Sequence, residues 1–132
     1  MKFLGIDYGA KRVGLALSDD EGKFAFPYVV LQNERALLKN IEEIGREKGI
    51  EAIVIGDTRA LSGEPNPVTK EAQEFSDALA SILSVPVRTV WEAWSSIEAS
   101  RFAPKGRGHD DASAAAIILQ RYLDTHAGDR LD

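Results

Sequence analysis

The chain has 132 residues, with 16 Lys plus Arg against 21 Asp plus Glu, a formal net charge of −5 and no cysteine. That length suits one domain, and the missing thiols exclude disulfides, thiolate nucleophiles and the usual structural zinc sites, which makes the cytoplasm the simplest compartment. The longest apolar run, Ala114 to Leu119, falls far short of the roughly 20 residues of a membrane span, no export signal opens the chain, and the acidic balance runs against the basic excess usual in nucleic-acid binders.

In chain order, Phe3 to Asp7 and Arg12 to Ser18 are apolar segments separated by Tyr8-Gly9-Ala10-Lys11. The second alternates around Val13, Leu15 and Leu17, so the pair predicts a hairpin. The polar turn Asp19-Asp20-Glu21-Gly22 leads to a third strand, Phe24 to Val30. From Asn33 the period becomes helical, with Leu37, Leu38, Ile41 and Ile44 on one face and Gly49 placed to end the helix. Ala52 to Gly56 is continuously apolar, as a strand covered on both faces should be.

Asn66-Pro67 reads as an N-cap followed by proline at the first helical position, opening a second helix with Val68, Ala72, Phe75, Leu79 and Ile82 on its inner face. Val85 to Val90 returns to strand. Ser95 and Glu98 form a capping box for a short helix. Asp110 or Asp111 caps a last helix that turns Ala115, Ile118, Leu119 and Tyr122 inward, and Gly128 onward reads as a frayed tail. The expected fold is α/β: a five-stranded mixed sheet, made of an antiparallel β1-β2-β3 meander followed by α-β-α-β-α, with helices on both faces. The domain is expected over residues 1–125, with a tail at 126–132.

Three carboxylates stand where an apolar element gives way to a turn, the usual ligand edge of an open α/β sheet. Asp7 ends the first strand, Glu92 follows the last and Asp111 opens the final helix. Brought to one edge they would repel one another unless cations neutralised them, and Mg²⁺ suits oxygen donors of this kind. Each acid also has an ordinary use, as a strand-end residue or a helix cap, and spacing alone does not choose between the two.

The glycines of Gly5-Ile6-Asp7-Tyr8-Gly9 permit a tight turn and close backbone approach beside Asp7. The stretch from Gly5 to Asp19 resembles the opening signature of the YqgF family, also called RuvX, of Holliday junction resolvase-like proteins also described as pre-16S rRNA nucleases. The segment from Asp111 to Asp124 is similar to that family's closing helix. The middle departs from the family pattern. Gly56-Asp57-Thr58 stands in place of Gly-Leu-Pro, Ser62-Gly63-Glu64-Pro65-Asn66 matches a glycine-rich loop only in part, and Trp91-Glu92-Ala93-Trp94-Ser95-Ser96 replaces Asp-Glu-Arg-x-Thr-Thr.

The resemblance implies a ribonuclease H-like fold and a metal-dependent nuclease. Asp7, Glu92 and Asp111 become the catalytic, metal-binding acids, with Asp7 bridging two Mg²⁺ or Mn²⁺ ions and the other two holding one each. The family arginine has no counterpart, since Ala93 carries no charge.

Lys11 and Arg12 after Asp7, and Lys105 and Arg107 before Asp111, are the candidate nucleic-acid contacts; phosphate contacts of this kind confer affinity without reading sequence. Their ordinary alternative is turn residues and a solvated Pro104 to Gly108 loop. His109 beside the acids is a candidate proton-transfer group or a loop histidine, and His126 is incidental. Trp91 and Trp94 straddle Glu92, to stack an unpaired base or to pack. The expected partner is structured RNA or branched DNA, with a homodimer for the junction-cutting case and no membrane. The competing reading is a catalytically impaired nucleic-acid or protein-binding module that keeps the fold.

Overall fold

A computed structural model describes residues 1–57, 67–91 and 111–125. Its strands are β1 (Phe3–Tyr8), β2 (Arg12–Ser18), β3 (Ala25–Gln32), β4 (Ala52–Asp57) and β5 (Val87–Trp91); its helices are α1 (Leu37–Lys48), α2 (Pro67–Leu83) and α3 (Asp111–Thr125). The strands form one sheet in the order β3-β2-β1-β4-β5. β1 pairs antiparallel with β2, which places Asp7 opposite Gly14, and parallel with β4, where Ile6 lies opposite Ile55. β4 in turn runs parallel to β5, and Asp57 is in register with Trp91. The carboxyl ends of β1, β4 and β5 therefore share one edge of the sheet with the start of β2 and the end of β3.

Alternation along β1 sends residues to two separate cores. Leu4, Ile6 and Tyr8 join Val13, Leu15, Ile53 and Ile55 beneath α1 and α2. Phe3 joins Ala16, Ala52 and Val54 against Ala115, Ile118, Leu119 and Tyr122 of α3. The continuous apolar reading of β4 is thus explained: Ile53 and Ile55 face one core while Ala52 and Val54 face the other. On the α3 side the sheet is lined by glycines where the helix comes closest. A Cβ on Gly5 would stand 2.8 Å from Leu119 Cβ and 3.1 Å from the Ala115 carbonyl oxygen, and one on Gly56 would stand 2.7 Å from Ile118 Cδ1.

Several boundaries and one face differ from the sequence expectation. β1 runs one residue further, to Tyr8. β3 spans Ala25–Gln32 and contains a bulge opposite Leu15 and Ala16; as an edge strand it tolerates Pro27, which has no N–H to donate. α1 begins at Leu37 rather than Asn33, because residues 33 to 36 form a turn in which Leu37 N–H bonds the Glu34 carbonyl. Gly49 ends it in the left-handed conformation, as expected. β5 starts at Val87 because Val85 N–H still bonds the Ala80 carbonyl at the end of α2, where Ser84 adopts a positive φ of 58°. Ile82 is exposed instead of facing inward, and Leu83 takes the inner place against Gly45 of α1. Asp110, the Ser95 to Glu98 helix, the Ser62 to Asn66 segment and the 126–132 tail lie outside the described residues.

Candidate functional site

The site edge is built around Asp7. It sits one residue from the end of the central strand, on the face that Phe3 and Gly5 present to α3, and its side chain is buried, 5% exposed. Acids are seldom buried to this extent in folded proteins. The helix across this face runs against the strand: Phe3 meets Tyr122 with ring centroids 5.7 Å apart, and Gly5 lies beneath Leu119 and Ala115. Continuing that progression brings the backbone of Asp111, the first residue of α3, toward the level of Asp7. Two of the three predicted acids thus belong to elements that converge at one sheet edge. Glu92 follows directly on Trp91, the last residue of β5 at that same edge, and itself lies outside the described residues. Among the described residues no cluster of three or more metal-ligating side chains occurs.

The turn after Asp7 is fastened from below. Gly9 is required there, because a Cβ would stand 2.6 Å from the Arg12 carbonyl oxygen. Asn33 donates its N–H to the Lys11 carbonyl at 2.9 Å and its Nδ2 to the Gly9 carbonyl at 2.8 Å. Tyr8, on the opposite face from Asp7, donates its phenol to Glu71 Oε2 on α2 at 2.6 Å and packs against Phe75 with centroids 5.4 Å apart. Burial pushes the Tyr8 phenol above its ordinary value; the Glu71 carboxylate pushes it further the same way, and a hydrogen bond with the Asn33 side chain works against both. Tyr8 therefore remains a neutral donor at physiological pH.

Lys11 and Arg12 are exposed at this edge, beside the turn. Lys105, Arg107, His109, Trp94 and His126 lie outside the described residues. The Asn33 fastening and the Tyr8 to Glu71 bond escaped the sequence reading. Asn33 between a strand and a helix has the signature of an ordinary turn residue, and the residue separation between Tyr8 and Glu71 leaves no local pattern.

The acid end of a mixed β3-β2-β1-β4-β5 sheet, covered by a final helix, defines a protein of the ribonuclease H-like fold. The same fold is seen in RuvC of Thermus thermophilus in complex with a Holliday junction substrate, with a TM-score of 0.66 and 16% identity over 97% of both chains. It is seen again in the fowlpox virus Holliday junction resolvase, with a TM-score of 0.60 and 13% identity over 95% of this chain and 99% of the other.

The chain belongs to the RuvX family, described as Holliday junction resolvase, whose family model matches residues 1–125. Among its curated relatives, a protein of Maridesulfovibrio salexigens is 37% identical over 93% of this chain and 98% of its own length. One of Anaeromyxobacter sp. strain K is 37% identical over 96% of this chain and 99% of its own. Both carry the name "Putative pre-16S rRNA nuclease".

Proposed function

We propose that this chain is a divalent-metal-dependent nuclease that hydrolyses phosphodiester bonds in structured nucleic acid, a precursor of 16S rRNA or a four-way DNA junction. The observation that carries the reading is the buried Asp7 carboxylate at the end of the central strand, on the face crossed by the helix that Asp111 opens. The names of the curated relatives and the junction bound to the RuvC neighbour support the substrate class.

Asp7, Glu92 and Asp111 are the acids assigned to the metal site, and Lys11, Arg12, Lys105 and Arg107 the phosphate contacts. Carboxylate oxygens such as that of the buried Asp7 are donors that suit a hard cation such as Mg²⁺ or Mn²⁺. Two such ions, when bound, stabilise the charge that builds on the attacking and leaving oxygens of an in-line displacement. The chain's own residues do the rest. Burial holds the Asp7 carboxylate in one place, the Asn33 and Tyr8 bonds keep its turn from shifting, and the cations neutralise backbone phosphates without selecting sequence.

The nuclease domain is assigned to residues 1–125, with 126–132 as a tail. A cytoplasmic location agrees with the cysteine-free sequence; among the described residues no helix is long and apolar enough to cross a membrane. Junction cutting calls for a homodimer with two symmetry-related sites, whereas RNA trimming needs one.

The test is cleavage of labelled single-stranded RNA, duplex DNA and a four-way junction by the wild type and by Asp7→Asn, with Mg²⁺, with Mn²⁺ and with chelator. Metal-dependent cutting by the wild type, absent in a folded Asp7→Asn, is expected. A wild type that binds a substrate and cuts none would instead establish the binding module.

A further inference from the structure

The cationic surface beside Asp7 extends further than the sequence pattern indicates. Arg12 opens β2 directly after Lys11, and it pairs with Gln32, the last residue of β3. The next residues, 33 to 36, turn into α1, and they do not leave the site edge. Asn33 ties them to the β1–β2 turn by two hydrogen bonds, its N–H to Lys11 O and its Nδ2 to Gly9 O. Arg35 lies within this fastened turn, exposed and with no ion pair among the described residues. Glu34 is the one acid in the same turn, and its backbone carbonyl is occupied by Leu37 N–H. On the exposed turns Lys11, Arg12 and Arg35 stand against Glu34, a surplus of positive charge above the buried Asp7 and the Glu71 that accepts the Tyr8 phenol, on a chain whose net charge is −5. On an acidic protein, such a local surplus decides where a polyanion approaches.

We infer that the β3–α1 turn is part of the nucleic-acid interface, with Arg35 meeting a backbone phosphate on the β3 side of Asp7 and Asn33 as the positioning residue that holds it there. This inference rests on the nuclease reading above. β3 is two strands away from β1, about 10 Å at the usual strand spacing. That places the phosphate Arg35 meets within a few nucleotides of the one at Asp7. The substrate strand therefore crosses the sheet edge from Asp7 over β2 toward β3, and the length of strand held in place is set by Arg35. The contact is electrostatic and does not read bases, so RNA and DNA share it.

Binding of a labelled four-way DNA junction and of a labelled structured RNA is to be measured across a salt series, in chelator so that nothing is cut. Arg35→Ala is expected to make the plot of log affinity against log salt shallower by about 0.9 on duplex arms and about 0.7 on single strand, the share of one phosphate. Arg35→Lys restores most of the slope, and Glu34→Gln tightens binding. Asn33→Ala shallows the slope while Arg35 is still present, an effect that lost charge cannot explain. With metal added, Arg35→Ala raises KM and leaves kcat near the wild-type value. Lys23, on the β2–β3 turn at the opposite edge and 3.5 Å from Glu21, is the control for net charge. A slope unchanged in Arg35→Ala, or changed equally in Lys23→Ala, overturns the inference while leaving the nuclease reading in place. A wild type that binds neither substrate overturns both.

Discussion

Replacing Gly56 with alanine tests how closely α3 lies on the sheet. The new Cβ would stand 2.7 Å from Ile118 Cδ1, 3.3 Å from Cγ1 and 3.7 Å from Cγ2. Only the first is far inside the 3.5 to 4.0 Å of ordinary carbon contact. Overpacking a core costs typically 1–3 kcal/mol, and alanine returns about 0.5–1 kcal/mol of backbone entropy relative to glycine in a strand. The net expectation is a loss of about 1.2 kcal/mol, or about 4 °C in Tm for a chain of this size.

Ile118→Val alone should cost about 1 kcal/mol for the lost methyl. It also removes the atom that most obstructs the new Cβ, so the two changes together should cost about 1 kcal/mol less than their sum. A double-mutant cycle by urea unfolding reads that coupling. At Gly5 the obstacles are Leu119 Cβ and a backbone carbonyl, so Leu119→Ala brings Gly5→Ala no such relief. Additive costs at Gly56 and Ile118 would refute the reasoning, as would a Gly56→Ala protein as stable as the wild type.

The other predictions concern the polar fastenings. Tyr8→Phe removes the bond to Glu71 and should cost about 1 kcal/mol near neutral pH. Because the folded phenol titrates above its unfolded value near 10, its stabilisation is whole below about pH 10 and is lost as pH rises through the folded value. Alkaline unfolding followed by phenolate absorbance should therefore show a steeper fall in the wild type than in the variant. Ser18→Ala leaves the buried Phe3 N–H without the hydroxyl oxygen that accepts it at 2.8 Å, and chemical denaturation should show a loss of about 1–3 kcal/mol. Asp19 accepts the Lys23 and Phe24 N–H groups, which hold its carboxyl below the ordinary carboxylate range. Its contribution is present above about pH 4 and lost as pH falls through the folded value. Melts across pH should show Asp19→Ala below the wild type at neutral pH and converging with it in acid.

The elements most legible in the sequence are those whose burial is periodic. Val13 and Leu15 alternate because β2 has distinct faces, and Ile53 to Ile55 run unbroken because β4 is covered on both. Asp7 stood out for a related reason: it is an acid at the end of an apolar strand, flanked by glycines that a tight turn needs.

What the sequence hid depends on contacts between distant segments. Ile82 and Leu83 are adjacent and equally apolar, and only the seat beside Gly45 on another helix decides which is covered. Asn33 has the chemistry of a helix cap, yet its side chain is committed to the Gly9 carbonyl, which delays the helix to Leu37. Gln120 looks like a solvated helical residue, but it bonds Ala25 N and the Lys23 carbonyl and ties the end of α3 to the β2–β3 turn.

The helix over the glycine-lined face also orders events during synthesis. The β1-β2-β3 meander rests on contacts between near neighbours and can form while the rest of the chain is still emerging, as local contacts do. Its α3 face cannot be closed then, because Ala115, Ile118 and Leu119 come from the last described element. A nascent chain halted before residue 111 holds Asp7 at the rim of a sheet whose Phe3 and Val54 face is still uncovered.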